Sequence, residues 1–283
     1  MSYSAEISRQ NPTCILFLID QSGSMADPIG GASGRSKAQG VADAINRFLF
    51  EIVFRCSKGD TVSDYFHIGV IGYGGGKVGP AFTGKLAGRE IVPLSEVASN
   101  PARIEDRSKK VEDGAGGLVE EKIKFAIWFD PVHDGDTPMC EALKLARKII
   151  EGWIKEHPNC FPPIVINITD GEATDGETNL VENLAKDIKN LKSEDGEVLM
   201  FNLHLSSQKG DAIKFPDRED NLPDSFAKLL FRMSSTFTEN MICEAKSKGY
   251  NVSNNSKGFV FNADIVDVID FLDIGTRAGK VGR

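Results

Sequence analysis

Cys14-Ile15-Leu16-Phe17-Leu18-Ile19-Asp20-Gln21-Ser22-Gly23-Ser24-Met25 is the stretch that decides the fold. An unbroken apolar run stops at an aspartate, and two serines follow at alternate positions. Continuous apolarity over so short a length predicts a strand buried on both faces, as in the interior of a parallel sheet. The carboxyl end of such a strand is where open α/β sheets place their ligands. Asp20, Ser22 and Ser24 there offer one carboxylate and two hydroxyls to a common point. Donors that are all oxygen suit a hard divalent cation such as Mg²⁺ and not zinc. The stretch is read as a metal site.

Outward from this strand, apolar runs alternate with helical patterns. Ser36-Lys37-Ala38-Gln39 opens a helix as a capping box, and Val41, Ala44, Ile45, Phe48, Leu49, Ile52 and Val53 form its buried stripe. A second strand is expected over Tyr65 to Tyr73, closed by Gly74-Gly75-Gly76. That glycine run reads as a turn, because no helix and no Lys-Ser/Thr pair follow to make a phosphate loop. Residues 77–117 are irregular and mixed in charge, which predicts a solvated, hairpin-like insertion. Lys122 to Phe129 is again β-like. Thr137 is placed as the N-cap of a strong helix with Pro138 as its first residue. Pro163 to Thr169 is a further apolar run closed by Asp170, a helix follows from Asn179, and Val198 to Ser206 is the next strand. Strand and helix continue to alternate through a closing helix at Asp264 to Ile274. The pattern predicts an α/β fold over residues 1–283: a doubly wound, mostly parallel central sheet with helices on both faces and one antiparallel edge strand.

Bulk properties narrow the function. A chain of 283 residues can bury one large core without a second domain. Its net charge of −8 argues against nonspecific binding to nucleic acid or an anionic membrane, since both need a basic face. No stretch approaches the length of a membrane span. The five cysteines are scattered without a Cys-x-x-Cys pair, which predicts free thiols of a cytoplasmic protein.

Three sequence-distant elements thus end in oxygen-bearing side chains: Asp20-Gln21-Ser22-Gly23-Ser24, Thr137 and Asp170. In order and context they resemble the von Willebrand factor type A (vWA) domain, whose metal-ion-dependent adhesion site joins Asp-x-Ser-x-Ser to a later threonine and a later aspartate. Thr137-Pro138-Met139 with Ala142-Leu143 resembles the bacterial form of that family, including cytoplasmic proteins associated with tellurite resistance and stress. The resemblance implies a vWA/Rossmann-like fold, with Ser22, Ser24 and Thr137 as hydroxyl ligands and Asp20 and Asp170 binding directly or through water. It implies Mg²⁺, with Mn²⁺ or Ca²⁺ as substitutes, and a protein partner that presents an Asp or Glu carboxylate. A kinase or a PP2C-type phosphatase is the partner found beside similar proteins.

The residue types favour binding over turnover. Three neutral hydroxyls and two carboxylates leave a dication electrophilic, with a water that a partner carboxylate can replace. No histidine, cysteine or lysine stands in the motif as base or nucleophile. Taken singly, each residue has a plainer reading: Asp20 as a cap, Ser22 and Ser24 as loop formers, Thr137 as an N-cap, Asp170-Gly171 as a turn. Glu172, Asp175 and Glu177 are expected to form an acidic rim. Two other functions compete. An aspartate-based phosphohydrolase also places an aspartate after its first strand, but needs a second carboxylate two residues on, where Ser22 stands. A scaffold with a vestigial metal site would bind partners without an ion.

Overall fold

Every residue of Thr13–Asp20 is buried, because this strand lies in the middle of the sheet with a helical layer on each side. The computed structural model describes residues 3–29, 34–112, 118–206 and 210–275. In chain order the first half gives β1 (Thr13–Asp20), α1 (Lys37–Arg55), β2 (Phe66–Gly74), β3 (Lys77–Pro80), β4 (Val92–Pro93) and α2 (Leu94–Ser99). A hairpin of β5 (Arg103–Glu112) and β6 (Leu118–Ile127) leads to α3 (Met139–Glu156), β7 (Ile164–Thr169) and α4 (Thr178–Lys189). The rest is β8 (Leu199–Leu205), β9 (Ile213–Lys214), α5 (Ser225–Met233), α6 (Glu239–Ser247), β10 (Phe259–Ala263) and α7 (Ile265–Gly275).

The main sheet runs β9-β10-β8-β7-β1-β2-β3, with β4 also paired to β2. Its five central strands, β10, β8, β7, β1 and β2, are parallel to their neighbours. In chain order these five take the spatial order 2-1-3-4-5, which places a reversal between β1 and β7. The period of two along β1 splits the core. Ile15, Phe17 and Ile19 face the layer of α1, α6 and α7, whereas Cys14, Leu16 and Leu18 face that of α3, α4 and α5. The α/β, doubly wound architecture is as the strand–helix alternation predicts.

Two features differ from the sequence reading. Antiparallel pieces close both edges of the sheet and not one: β3 and β4 on one side, β9 on the other. The region at 77–117 is also divided. Lys77–Pro80 and Val92–Pro93 belong to the main sheet, and the hairpin begins at Arg103 and runs to Ile127, its register pairing Lys109 with Glu121 and Lys110 with Glu120. Asp106 and Lys124 face each other across these strands as an ion pair of 2.6 Å, so signs that look mixed along the chain are matched across it there. Residues 113–117, at the tip of the expected hairpin, lie outside the described residues. At Gly75 and Gly76 the backbone is left-handed (φ 54° and 70°), a tight hairpin turn that glycine makes without steric cost.

Candidate metal centre

The reversal between β1 and β7 opens a crevice at the carboxyl ends of both strands, and the loops that follow them meet there. Asp20, the last residue of β1, is fully buried. Its Oδ1 accepts from the Ser22 amide at 2.9 Å and its Oδ2 from the Thr169 hydroxyl at 2.7 Å. Burial raises its pKa, while these hydrogen bonds pull it back down. The loop after Asp20 is stitched on two sides. Gln21 N–H donates to the Tyr73 carbonyl on β2, while Gly23 N–H donates to the Gly135 carbonyl and Asp134 N–H to the Gln21 carbonyl. Two glycines permit this approach. A Cβ on Gly74 would overlap the Gln21 backbone, and one on Gly135, itself at φ 63°, would come within 2.6 Å of the Gly75 Cα.

Ser22 and Ser24 stand with hydroxyl oxygens 3.1 Å apart, and Ser24 Oγ donates to Asp170 Oδ1 at 2.8 Å. The strand ends of β1 and β7 are thereby joined through side chains that the sequence singles out. Thr137 is buried and bound through its backbone to the loop of Asp170: its N–H donates to Thr174 Oγ1 and its carbonyl accepts from Thr174 N–H, both at 3.0 Å. Asp20, Ser22, Ser24, Thr137 and Asp170 therefore lie on three loops that interlock by hydrogen bonds.

The role expected of Thr137 as N-cap is corrected. Helix α3 starts at Met139, with no cap from a neighbouring side chain. Its first amides are taken by Asp175, whose two oxygens accept from Cys140 N–H at 3.0 Å and Glu141 N–H at 2.9 Å. An acceptor 35 residues away does the work of a local cap, and the Thr137 hydroxyl stands outside it. Asp175 accordingly leaves the acidic rim. Glu172 and Glu177 remain on the rim, lining a cleft of about 410 Å³ floored by Val181, Phe226 and Leu229 beside the centre.

Lys37 is the residue the sequence reading misses. Its Nζ lies 2.7 Å from Asp170 Oδ2, 3.4 Å from the Ser24 carbonyl and 3.9 Å from Asp27 Oδ2. The lysine side chain is 4% exposed and that of Asp170 0%. A lysine at the first position of α1 opposes the helix dipole, and the bond to Asp170 compensates. The only local signal is this contrary placement, a cation just after the Ser36 cap.

The donor set fits a hard dication. Two hydroxyls and two carboxylates converge from β1 and β7, and one cation, the Lys37 ammonium, already rests against Asp170. Among the described residues no group of three or more His, Cys, Asp or Glu side chains forms a metal site. Any ion held here therefore depends on the hydroxyls of Ser22, Ser24 and Thr137 together with Asp20 and Asp170. Nearby His204 stacks on Phe261 with centroids 4.4 Å apart, and burial pushes its pKa down to about 4.

The sequence matches no protein-family model and no curated protein. Among solved structures the chain is similar to a von Willebrand factor type A protein from Catenulispora acidiphila, with a TM-score of 0.47 and 12% identity. That match covers 95% of this chain and 43% of the other, so the chain spans less than half its length. Among the described residues no helix is long and apolar enough to cross a membrane.

Proposed function

We propose that the chain binds a protein partner through a divalent cation, Mg²⁺ or Mn²⁺, held by Asp20, Ser22, Ser24, Thr137 and Asp170. The observation that supports this reading is the junction of Ser22, Ser24 and Asp170 at the mouth of the β1/β7 crevice. Bound there, the ion supplies an electrophilic point that exchanges water for an outside carboxylate. Asp20, fixed through both oxygens, sets the loop that carries the serines. Ser22 and Ser24 give neutral donors, so Asp20 and Asp170 are the only charges in the ligand set that offset the ion's own. The partner presents an Asp or Glu side chain to it. By the sequence resemblance, that partner belongs to a bacterial stress or signalling system with a kinase or PP2C-type phosphatase.

No turnover is proposed. A nucleophilic aspartate needs an oxygen free to attack and an acid beside it, whereas both Asp20 oxygens accept hydrogen bonds and Ser22 stands in the acid's place. The test is calorimetric titration with Mg²⁺ and Mn²⁺ of the wild type and of Asp20→Ala. Saturable binding by the wild type and at least about tenfold weaker binding by the variant are expected. Equal affinities would remove the reading.

One observation favours a second reading. Lys37 already neutralises Asp170, as in a scaffold that binds its partner without an ion. Partner capture that survives EDTA would select it.

A further inference from the structure

Lys37 has no part in the proposed ligand set, yet it is the charge nearest to it. Its ammonium occupies one oxygen of Asp170, Oδ2, and Oδ1 faces the hydroxyl of Ser24. The two carboxylates at the centre, Asp20 and Asp170, are both buried and together carry two negative charges. The lysine cancels one of them. Asp27, the remaining acidic group near the ammonium, is 3.9 Å away with a side chain 57% exposed, so solvent screens it.

We infer that Lys37 is a specificity-determining residue of the centre: by occupying Oδ2 of Asp170 it leaves Oδ1, which accepts from Ser24, as the one oxygen an ion can share, and it leaves the loaded site with a net positive charge. This rests on the metal-binding reading above and concerns which ion and which outside ligand the site takes. Ca²⁺ favours six to eight oxygens and often takes both oxygens of a carboxylate, whereas Mg²⁺ demands an octahedron and is content with one from each. An Asp170 with Oδ2 occupied suits the smaller ion. The charge count points the same way for the partner. Two carboxylates and a dication sum to zero, with nothing left to attract an anion. Adding the lysine gives plus one, which a single outside carboxylate neutralises.

The experiment compares wild type with Lys37→Met, of similar length without charge, and Lys37→Gln, which keeps a donor toward Oδ2 without charge. Mg²⁺, Mn²⁺ and Ca²⁺ affinities are measured by calorimetry in chloride and again in acetate, the simplest carboxylate probe. Circular dichroism checks that each variant is folded. Wild type is expected to prefer Mg²⁺ to Ca²⁺ and to bind Mn²⁺ more tightly in acetate. Both variants are expected to bind dications about tenfold more tightly or better, since a repelling charge is gone. Ca²⁺ should gain the most in Lys37→Met, and the acetate enhancement should vanish in both. Unchanged affinities and an unchanged acetate effect in a folded variant would overturn the inference. Should Lys37→Met fail to fold, Lys37→Gln alone decides by the same criteria. A wild type that binds no dication would instead remove the metal-binding reading itself.

Discussion

Two of the ion-pair clusters among the described residues are built on opposite principles. At the carboxyl pole of the sheet, Lys37 and Asp170 are almost without solvent contact. On the hairpin flank, Arg103 holds Asp130 with two bonds of 2.7 and 3.0 Å and reaches Glu105, while Arg107 joins Asp43 and Glu105 and lies 4.0 Å over the Phe125 ring. That second cluster has more bonds, and its side chains are between 14% and 47% exposed. Water competes for each of those bonds, whereas the buried pair is shielded from it, with only the longer contacts of Lys37 to the Ser24 carbonyl and Asp27 beside it. The difference separates the two: the flank pins the hairpin to α1, and the pole holds a buried charge pair at the carboxyl ends of β1 and β7.

Removing one member of each cluster should separate them most. Asp170→Ala strands a buried ammonium and is expected to lose about 3–5 kcal/mol of stability, read by urea unfolding. A loss below ~1 kcal/mol would mean that the pole is wetter than the structure shows. Asp175→Ala removes the distant cap of α3 and should lose about 1–2 kcal/mol. Because it also loosens the loop beside Thr137, it should weaken metal binding. Arg103→Ala, on the flank, should lose about 1 kcal/mol or less, and less still in high salt. The smallest effect is one of sign in acid. Hydrogen bonds from Arg103 lower the pKa of Asp130, so the stability it contributes is present above the unfolded carboxylate value and is lost as pH falls through the lowered one. Burial raises that of Asp20, so its contribution is present below the unfolded value and is lost as pH rises through the raised one. Unfolding at pH 7 and pH 4 should therefore show Asp130→Asn and Asp20→Asn shifting the pH slope in opposite directions. Shifts of the same sign would contradict the contrast between the clusters.

Much of the pole is legible in the sequence because its signals are local. An apolar run that halts at Asp20, another that halts before Asp170, and serines at alternate positions after the first are all readable within a few residues. The doubly wound order follows from the alternation of such runs with amphipathic helices. What escapes is whatever depends on contact at a distance. Lys37 sits on a helix that looks explained by its apolar stripe, and its contrary placement at the helix start does not say that its partner lies 133 residues away. Asp175 looks like one more surface acid, although it caps a helix that precedes it in the chain. Thr137 before Pro138 has the local form of a cap, and only tertiary structure shows the helix amides bonded elsewhere. The bounds of the hairpin are misplaced for a related reason: its strands, Arg103–Glu112 and Leu118–Ile127, are fixed by pairing with each other, which no single stretch shows.

The proposed ion is held by oxygen atoms from the loop after β1, the loop before α3 and Asp170 after β7. The most direct measurement is the anomalous difference map of a crystal grown with Mn²⁺. A single peak is expected about 2.1 Å from the hydroxyl oxygens of Ser22 and Ser24, with Lys37 still bonded to Asp170. No peak there, in crystals that contain the ion elsewhere, would contradict it.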